Sequence, residues 1–341
     1  MLPAPSHMSL AAAVALFVGS LAVSVGSSLV LARNLDRVGV RLRITDGLLG
    51  ILTALGADSP EISTAAIAVL SGRGDLGVGV VLGSNVFNLA ALLGLSAVLA
   101  GGMRIGRRAV LLEGVAAVAV AAVAVLVVGG VLAAWAGAAV GALVLVPYVW
   151  LISLRPAEVA GGALPGGLRR RLAAAVAEEE MAARPDHREP PATLLDALLV
   201  APALALVVLA SAGLVHAAQA VGHHTGVPDA VLGTLLLAVL TSIPNALAAV
   251  RLALHGRGAA VVSEAFNSNT MNIIAGLCIP AAILGLDANG GLGSLTAWWA
   301  LGMTLLAAGM LYRRRGLSVE QGWLIMATYA VFVALVIGNW S

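Results

Sequence analysis

The sequence contains no lysine, a single cysteine and few charges: only 11% of its 341 residues are charged. A lone cysteine, Cys278, excludes an intrachain disulfide and a cysteine metal cluster. Soluble globular domains carry about 25% charged residues, so the low charge, together with a hydrophobic share of 60%, excludes that class. We therefore expect this chain to be embedded in a lipid bilayer.

Long apolar runs recur along the chain. A transmembrane helix needs about 20 mostly apolar residues to cross about 30 Å of hydrocarbon. This rule predicts an all-α polytopic membrane protein with ten transmembrane helices. The predicted spans are 8–32, 45–70, 76–101, 107–129, 131–154, 194–216, 228–253, 259–284, 293–312 and 318–339.

The arginines lie in alternate loops. They follow the first, third, fifth, seventh and ninth spans, and Arg73 is the one exception. Because arginine is enriched in short cytoplasmic loops, these loops are predicted to face the cytoplasm. The chain is then expected to be a multi-pass protein of the cell inner (plasma) membrane, with both termini outside the cytoplasm.

The sequence aligns with itself at an offset of 184 residues. Without a gap, Pro60 aligns with Pro244 and Asn85 with Asn269. Each copy holds five spans, and an odd number means that the second copy enters the membrane from the opposite side. Such inverted repeats are typical of transporters whose site lies near the midplane. The predicted units are a first five-helix repeat at 1–154, a cytoplasmic linker at 155–193 and a second, inverted five-helix repeat at 194–341.

The linker contains three consecutive arginines and three consecutive glutamates. Its stretch 168–184 is helix-permissive. One interpretation is a solvated linker helix. The other is a helix on the membrane surface, or an ion sensor that uses the glutamates 178–180.

Carboxylates and amides interrupt the apolar runs of the first copy. Asp58 and Glu61 are three residues apart in the second span, which places them on neighbouring positions of one helical face. An ionisable residue at membrane depth costs at least about 2.5 kcal/mol and normally faces a cavity or a partner. Pro60 is expected to open the preceding turn and to free carbonyl oxygens as ligands. The third span adds the polar residues Ser84, Asn85 and Asn88.

The second copy repeats this pattern. Its polar residues are Thr241, Ser242 and Asn245 in the seventh span and Ser268, Asn269 and Asn272 in the eighth. Glu264 lies near the cytoplasmic end of the eighth span, and it is interpreted as a gate, a third ligand or a side chain that extends to the interface.

These motifs resemble those of the sodium/calcium exchanger superfamily, in which Gly-Thr-Ser-x-Pro-Glu is followed by Gly-Ser-Asn-x-x-Asn in each half. The matching segments are 56–61 and 83–88 in the first copy and, in degenerate form, 241–245 and 267–272 in the second. The resemblance implies that Glu61, Asn85 and Asn269 bind calcium or sodium at the midplane. The full set of candidate cation ligands is Asp58, Glu61, Ser84, Asn85, Asn88, Thr241, Ser242, Asn245, Ser268, Asn269 and Asn272.

One departure from the family pattern concerns charge. Asn245 stands where the family has its second glutamate, and Asp58 stands where the family usually has serine. Calcium prefers six to eight oxygen ligands with carboxylates among them, so the loss of one charge is expected to weaken a divalent site. We expect Asp58 to restore that charge from the other copy.

The sequence therefore predicts a secondary active cation antiporter that moves calcium or another cation by alternating access, in exchange for sodium or protons. A monovalent cation/proton antiporter and a non-transporting membrane scaffold with an exchanger fold are the alternatives. An enzyme is not expected, since every histidine lies at a span end or in a loop. The expected partners are inorganic cations and the lipid bilayer, with no cofactor and no nucleic acid.

Overall fold

The computed structural model describes residues 4–162, 165–183, 192–286 and 291–339 and is mostly helical. A 3-10 turn, Pro5–His7, precedes twelve helices that we number along this described part of the chain. They are α1 Leu10–Leu42, α2 Asp46–Leu70, α3 Gly74–Leu99, α4 Arg107–Val128, α5 Ala134–Ser153, α6 Pro156–Gly161, α7 Gly166–Ala183, α8 Leu194–Thr225, α9 Asp229–Leu254, α10 258–284, α11 Gly291–Arg314 and α12 Val319–Gly338.

Helices occupy all ten of the predicted apolar runs. Eight helices of the described chain are long and apolar enough to cross a membrane, judged by length and composition. The other two predicted spans correspond to α2 and α10, which carry the carboxylates, amides and hydroxyls of the predicted site. Their crossing of the membrane stays a prediction.

The first and sixth predicted spans are shorter than the helices that form there. α1 continues ten residues past the predicted end at 32, and α8 continues nine residues past 216. The end of α1 is held by contacts with the segment that begins α8. Arg37 forms an ion pair with Asp196 at 2.8 Å, and Arg41 donates to the carbonyl of Ala192 at 2.8 Å. Polar contacts across the fold thus extend α1 beyond its apolar run.

The expectation that Pro60 opens the helix was wrong. α2 runs through Pro60 without interruption, and α9 runs through Pro244 in the same way. Proline removes the donor for the carbonyl four residues earlier, and in α2 that carbonyl belongs to Gly56. The hydroxyl of Ser59 donates to it at 2.6 Å, so a side chain replaces the missing backbone bond and the turn stays closed.

Three helices contain a π-helical segment, which has a wider turn than an α-helix. The segments are Leu89–Leu95 in α3, Leu232–Leu237 in α9 and Asn272–Cys278 in α10. Two of them begin at or directly after a predicted ligand, Asn88 or Asn272. Such segments frequently occur at functional sites.

The core of the molecule surrounds α3. Of the most apolar window of α3, 94% is buried inside the protein, and α2, α9 and α11 pack around it. The outer pairs are α1 with α8 and α4 with α11. The segments that hold the candidate ligands therefore lie in the interior of the bundle.

A two-stranded pairing joins two distant loops. β1, Met103–Arg104, runs antiparallel to β2, Gly316–Leu317, with Met103 opposite Leu317. Gly316 adopts φ 149° and passes close to the carbonyl of Met103, an approach that leaves no room for a Cβ. The loop after α3 is thereby fixed to the loop after α11.

The described part of the linker packs on the bundle. The helix-permissive stretch forms α7, which contacts α2, α4 and α10 and buries Ala175 and Val176. Glu178 accepts a hydrogen bond from the backbone of Arg108 at 2.9 Å. The interpretation as a solvated linker helix was therefore wrong for α7, because the helix packs on the bundle. Residues 163–164 and 184–191 of the predicted linker lie outside the described chain.

Candidate cation site

The predicted ligands meet in one buried region where α2, α3, α9 and α10 come together. All eleven candidate side chains belong to residues that are at most 3% exposed. They come from both predicted repeats, which places residues about 180 positions apart in direct contact. These side chains therefore form one buried polar cluster, called the pocket below, to which both predicted repeats contribute.

Glu61 is the most fully bonded carboxylate of the pocket. Its Oε1 accepts from Ser242 Oγ at 2.5 Å and from Asn245 Nδ2 at 3.4 Å. Its Oε2 accepts from Asn272 Nδ2 at 2.7 Å. All three donors come from the second predicted repeat, so Glu61 reaches across the interface.

Asp58 lies one helical turn before Glu61 and faces the same amide. Asn245 Nδ2 donates to Asp58 Oδ1 at 2.6 Å, so one asparagine connects both carboxylates. Asp58 Oδ2 has no hydrogen-bond partner among the described residues although it is buried. No ion pair joins either carboxylate to an arginine of the described chain.

The asparagines of α3 and α10 bind each other reciprocally. Asn85 Nδ2 donates to the backbone carbonyl of Asn269, and Asn269 Nδ2 donates to that of Asn85, both at 3.0 Å. Asn88 Nδ2 donates to Ser268 Oγ and to Asn269 Oδ1, both at 3.3 Å. Equivalent residues of the two copies thus make equivalent contacts across the pocket.

Three acceptor oxygens in the pocket lack a donor within the described residues. They are Asp58 Oδ2, Asn88 Oδ1 and Asn272 Oδ1. An unsatisfied buried acceptor costs about 1–3 kcal/mol, and a buried uncompensated charge costs more. A hard cation prefers carboxylate and amide oxygens, so the pocket has the donor set that such an ion would satisfy. The searched residues hold no cluster of three His, Cys, Asp or Glu, so amides would complete the site.

Two candidates use their hydroxyl protons locally. Ser84 donates to the carbonyl of Val81 at 2.9 Å, and Thr241 donates to that of Leu237 at 2.8 Å. Only the oxygen lone pairs of these two side chains remain available to a ligand.

Glu264 lies in the wall of a cavity that approaches the pocket from one side. The cavity has a volume of about 390 Å³ and opens between the amino-terminal halves of α2 and α10. Asp36 and Arg257 also line it, and Ala57 and Asn267, next to Asp58 and Ser268, form part of its lining. Glu264 is half-buried there.

The opposite side of the pocket is closed by close helix packing. A Cβ at Gly83 of α3 would lie 2.6 Å from the backbone oxygen of Thr234 in α9, so only glycine allows this approach. Beyond this contact, Arg73 pairs with Asp229 at 3.3 Å. The two sides of the pocket therefore differ: one is tightly packed and the other has a cavity.

Three polar residues of the region, Tyr148, Ser263 and Thr234, were missed in the sequence. Tyr148 of α5 donates to Asn267 Oδ1 at 2.8 Å, and Asn267 donates to Ser263 at 3.1 Å. Thr234 is 2% exposed with an unpartnered Oγ1 among the described residues. The available signal was a polar residue inside an apolar run, outside the repeated motifs.

This chain is similar to known sodium/calcium exchangers and related proteins. The family model described as sodium/calcium exchanger protein matches residues 12–154 and 195–338. CaxA of Alkalimonas amylolytica, which is named as an antiporter, is 27% identical over 267 residues, covering 74% of this chain and 73% of CaxA. Sodium/potassium/calcium exchanger 3 of Homo sapiens is 35% identical over 69 residues, covering 20% of this chain and 11% of that exchanger.

A solved structure of the sodium-calcium exchanger NCX_Mj, soaked with 2.5 mM Na⁺ and 0.1 mM Sr²⁺, shares the fold. The TM-score is 0.62 at 18% sequence identity, with 96% of this chain and 99% of that chain covered. A second NCX_Mj structure, soaked without Na⁺ or Ca²⁺, gives 0.59 at 20% identity, with 95% and 98% covered.

Proposed function

The chain belongs to the sodium/calcium exchanger family, and we propose that it is a secondary active antiporter that moves calcium or another cation in exchange for sodium or protons. The observation that carries this proposal is the buried pocket itself. Two carboxylates without an arginine partner in the described chain meet there, at the interface of the two proposed repeats. One carboxylate oxygen, Asp58 Oδ2, and two amide oxygens have no donor among the described residues.

The proposed architecture is ten transmembrane helices in two inverted repeats, 1–154 and 194–341. In support, helices begin at Leu10 and Leu194 and at Gly74 and Gly258, in each case 184 positions apart. The reciprocal bonds of Asn85 and Asn269 have the same separation. A pseudo-two-fold axis passing between these two asparagines explains both facts.

Contacts between the loops support the proposed orientation. The end of α1 contacts the start of α8, β1 pairs with β2, and α7 packs on α4. The arginine-rich loops after α1, α3 and α11 thus share one face, which we assign to the cytoplasm. Arg73, the exception in the pattern, pairs with Asp229 on the other side.

Alternating access follows from the difference between the two sides of the pocket. Gly79 and Gly83 pack closely on α9. Their counterparts 184 positions later, Ser263 and Asn267, line the cavity. Each repeat thus adopts a different arrangement of the same elements, and exchanging the two arrangements would close the cavity and open the other side. In this proposal the cavity opens toward the cytoplasm, so the structure is in an inward-facing state.

The charge of the pocket sets the proposed stoichiometry. Asp58 and Glu61 supply two negative charges, and Asn245 contacts both, which supports the hypothesis that the second family carboxylate has moved from α9 to α2. An asparagine can donate through Nδ2 or bind a cation through Oδ1. Asn245 and Asn272 can therefore donate to the carboxylates when the pocket holds no cation and can bind the cation when one is present. One divalent ion would then exchange for two monovalent ions or protons, without net current.

The test is calcium uptake into proteoliposomes under an outward sodium or proton gradient, with and without an imposed membrane potential. We expect saturable uptake that requires the counter-ion and is insensitive to the potential. Exchange of monovalent cations alone would favour the monovalent antiporter. Absence of flux with every combination of transported ion and counter-ion would favour the non-transporting scaffold and overturn the proposal.

A further inference from the structure

One acidic residue close to the pocket has no role in the proposed stoichiometry. Glu264 is half-buried and lines the cavity of about 390 Å³ that opens between α2 and α10. It makes no hydrogen bond or ion pair with another described residue. A carboxylate is costly inside a membrane protein unless it faces a cavity or a partner. The Glu264 carboxylate is therefore available to a ligand that enters this cavity.

Glu264 lies one helical turn before the pocket on α10. Ser268, a candidate ligand, follows it by four residues, so the two side chains share one face of the helix and lie about 6 Å apart along its axis. On the opposite wall, Ala54 lines the cavity and precedes Asp58 by four residues on α2. Both walls therefore extend inward to Asp58, whose Oδ2 is buried and has no partner in the described part of the chain.

The charged residues of the cavity favour a cation. Asp36 and Glu264 line it together with one arginine, Arg257, which leaves the lining with a net charge of about minus one. Glu264 is also close enough to Asp58 for the two carboxylates to repel each other. A cation between these carboxylates would replace repulsion by attraction. A cleft with one sign of charge raises the local concentration of the opposite ion, so the cavity should collect cations.

The equivalent position of the first repeat carries no charge. It is Val80, 184 positions before Glu264, and its side chain is fully buried. Val80 belongs to α3, on the side of the pocket where Gly79 and Gly83 pack closely on α9. The extra carboxylate is thus present only on the side where the cavity opens. Any effect of Glu264 on the entry of cations should therefore be confined to that side.

We propose that Glu264 binds the transported cation transiently on its way from the cytoplasm to Asp58 and Glu61. The ion keeps most of its water there, because one carboxylate supplies at most two of the six to eight oxygens that calcium prefers. Asp58 and the amides of the pocket then replace that water. This inference rests on the proposed antiport. It assigns to Glu264 the cation affinity of the cytoplasmic face, while the affinity of the external face is independent of it.

The test is the KM for calcium at each face, measured in inside-out and right-side-out vesicles that contain the counter-ion. Glu264→Gln should raise the cytoplasmic KM about tenfold, the lower end of the effect of losing a contact with a charged group. The maximal rate and the external KM should stay unchanged. Glu264→Asp keeps the charge and should retain most of the cytoplasmic affinity. Glu320→Gln is the matched control, because Glu320 is exposed on the same proposed face, outside the cavity.

A second pair of variants changes the charge of the cavity and leaves Glu264 in place. Ala260 lines the cavity four residues before Glu264, one turn nearer the start of α10. Ala260→Arg should raise the cytoplasmic KM, because a positive charge at this position repels the entering ion. Ala260→Gln introduces a long neutral side chain and should leave that KM unchanged.

Several results would overturn the inference. They are a lower maximal rate of Glu264→Gln without a change in KM, an equal rise of the KM at both faces, a loss in Glu264→Asp as large as in Glu264→Gln, and equal effects of Ala260→Arg and Ala260→Gln. Exchange by the unmodified protein with an unchanged KM in Glu264→Gln overturns this inference alone. Absence of exchange by the unmodified protein overturns the proposed function and this inference together.

Discussion

Asn245 occupies the position that decides the electrostatics of the pocket. Its amide nitrogen donates to Asp58 at 2.6 Å and to Glu61 at 3.4 Å. A carboxylate at either 58 or 245 would therefore project into nearly the same space. A carboxylate moved from position 245 to position 58 would therefore change its place in the pocket by only a few ångströms.

Two substitutions test whether the Asp58 carboxylate replaces the one that the family has at position 245. Asp58→Ser removes a charged ligand, and we expect divalent transport to fall by about tenfold or more, since a contact with a charged group contributes about 1.5–3 kcal/mol. Adding Asn245→Glu returns the charge to the opposite wall and should recover much of the activity. The measurement is calcium flux of both variants at equal protein density, and no recovery in the double variant would count against a relocated charge.

At the scale of helices, a single hydroxyl keeps α2 continuous. Ser59 is buried and supplies the hydrogen bond that Pro60 removes from the Gly56 carbonyl. The helix that carries both carboxylates thereby stays straight enough to aim them at α9 and α10. The Ser59 hydroxyl thus helps to position the face of α2 that carries the two candidate ligands, Asp58 and Glu61.

Ser59→Ala is expected to destabilise the protein by about 1–3 kcal/mol, because it leaves a buried carbonyl without a donor. Ser153→Ala is the control, since the Ser153 hydroxyl makes the same type of bond to Trp150, at 2.7 Å, in an exposed position. Thermal unfolding in detergent compares the two. Equal stability of both variants would show that the Ser59 bond does not stabilise α2.

The positions of the helices could be predicted because apolar runs of the required length determine them. The extension of α1 could not, since it depends on Asp196, which lies 159 positions from its partner Arg37. The continuity of α2 was missed because proline was considered without the serine beside it. The packing of α7 was missed because a charged segment gives no sign of the surface that receives it.

For the candidate site, the clustering of the predicted residues is observed, whereas their pairing was not predictable. Carboxylates and amides inside apolar runs led to the prediction of an ion path because such groups are costly at membrane depth. Which oxygen meets which amide depends on how α2 packs against α9 and α10, as the contact of Asp58 with Asn245 shows. Tyr148 was missed because it lies on α5, outside both motifs.

At the scale of the whole molecule, equivalent positions of the two proposed repeats differ in exposure. Ala260 lines the cavity, whereas Leu76, 184 positions earlier, is fully buried. The proposed alternating access requires this asymmetry, and a change to the opposite-facing state should reverse it. The relative exposure of Ala260 and Leu76 therefore indicates on which side of the membrane the pocket is accessible.

Cysteine labelling tests this asymmetry with a membrane-impermeant thiol reagent. Ala260→Cys should react in inside-out vesicles and not in right-side-out vesicles, while Leu76→Cys should be protected in both in the state described. Cys278 is fully buried and supplies little background. Reaction of Ala260→Cys from the outside alone would contradict the proposed orientation.

The central claim is that the carboxylates of α2 bind the transported cation. The most direct measurement is counter-ion-dependent calcium uptake into proteoliposomes by the unmodified protein, Glu61→Gln and the surface control Glu320→Gln. Glu61→Gln changes the side-chain volume little but removes the charge of the carboxylate that accepts from Ser242 and Asn272. Uptake should therefore fall by about tenfold or more, while the protein remains monodisperse. Glu320, exposed near the start of α12, should be replaceable without loss. Equal uptake by the unmodified protein and Glu61→Gln would contradict the account.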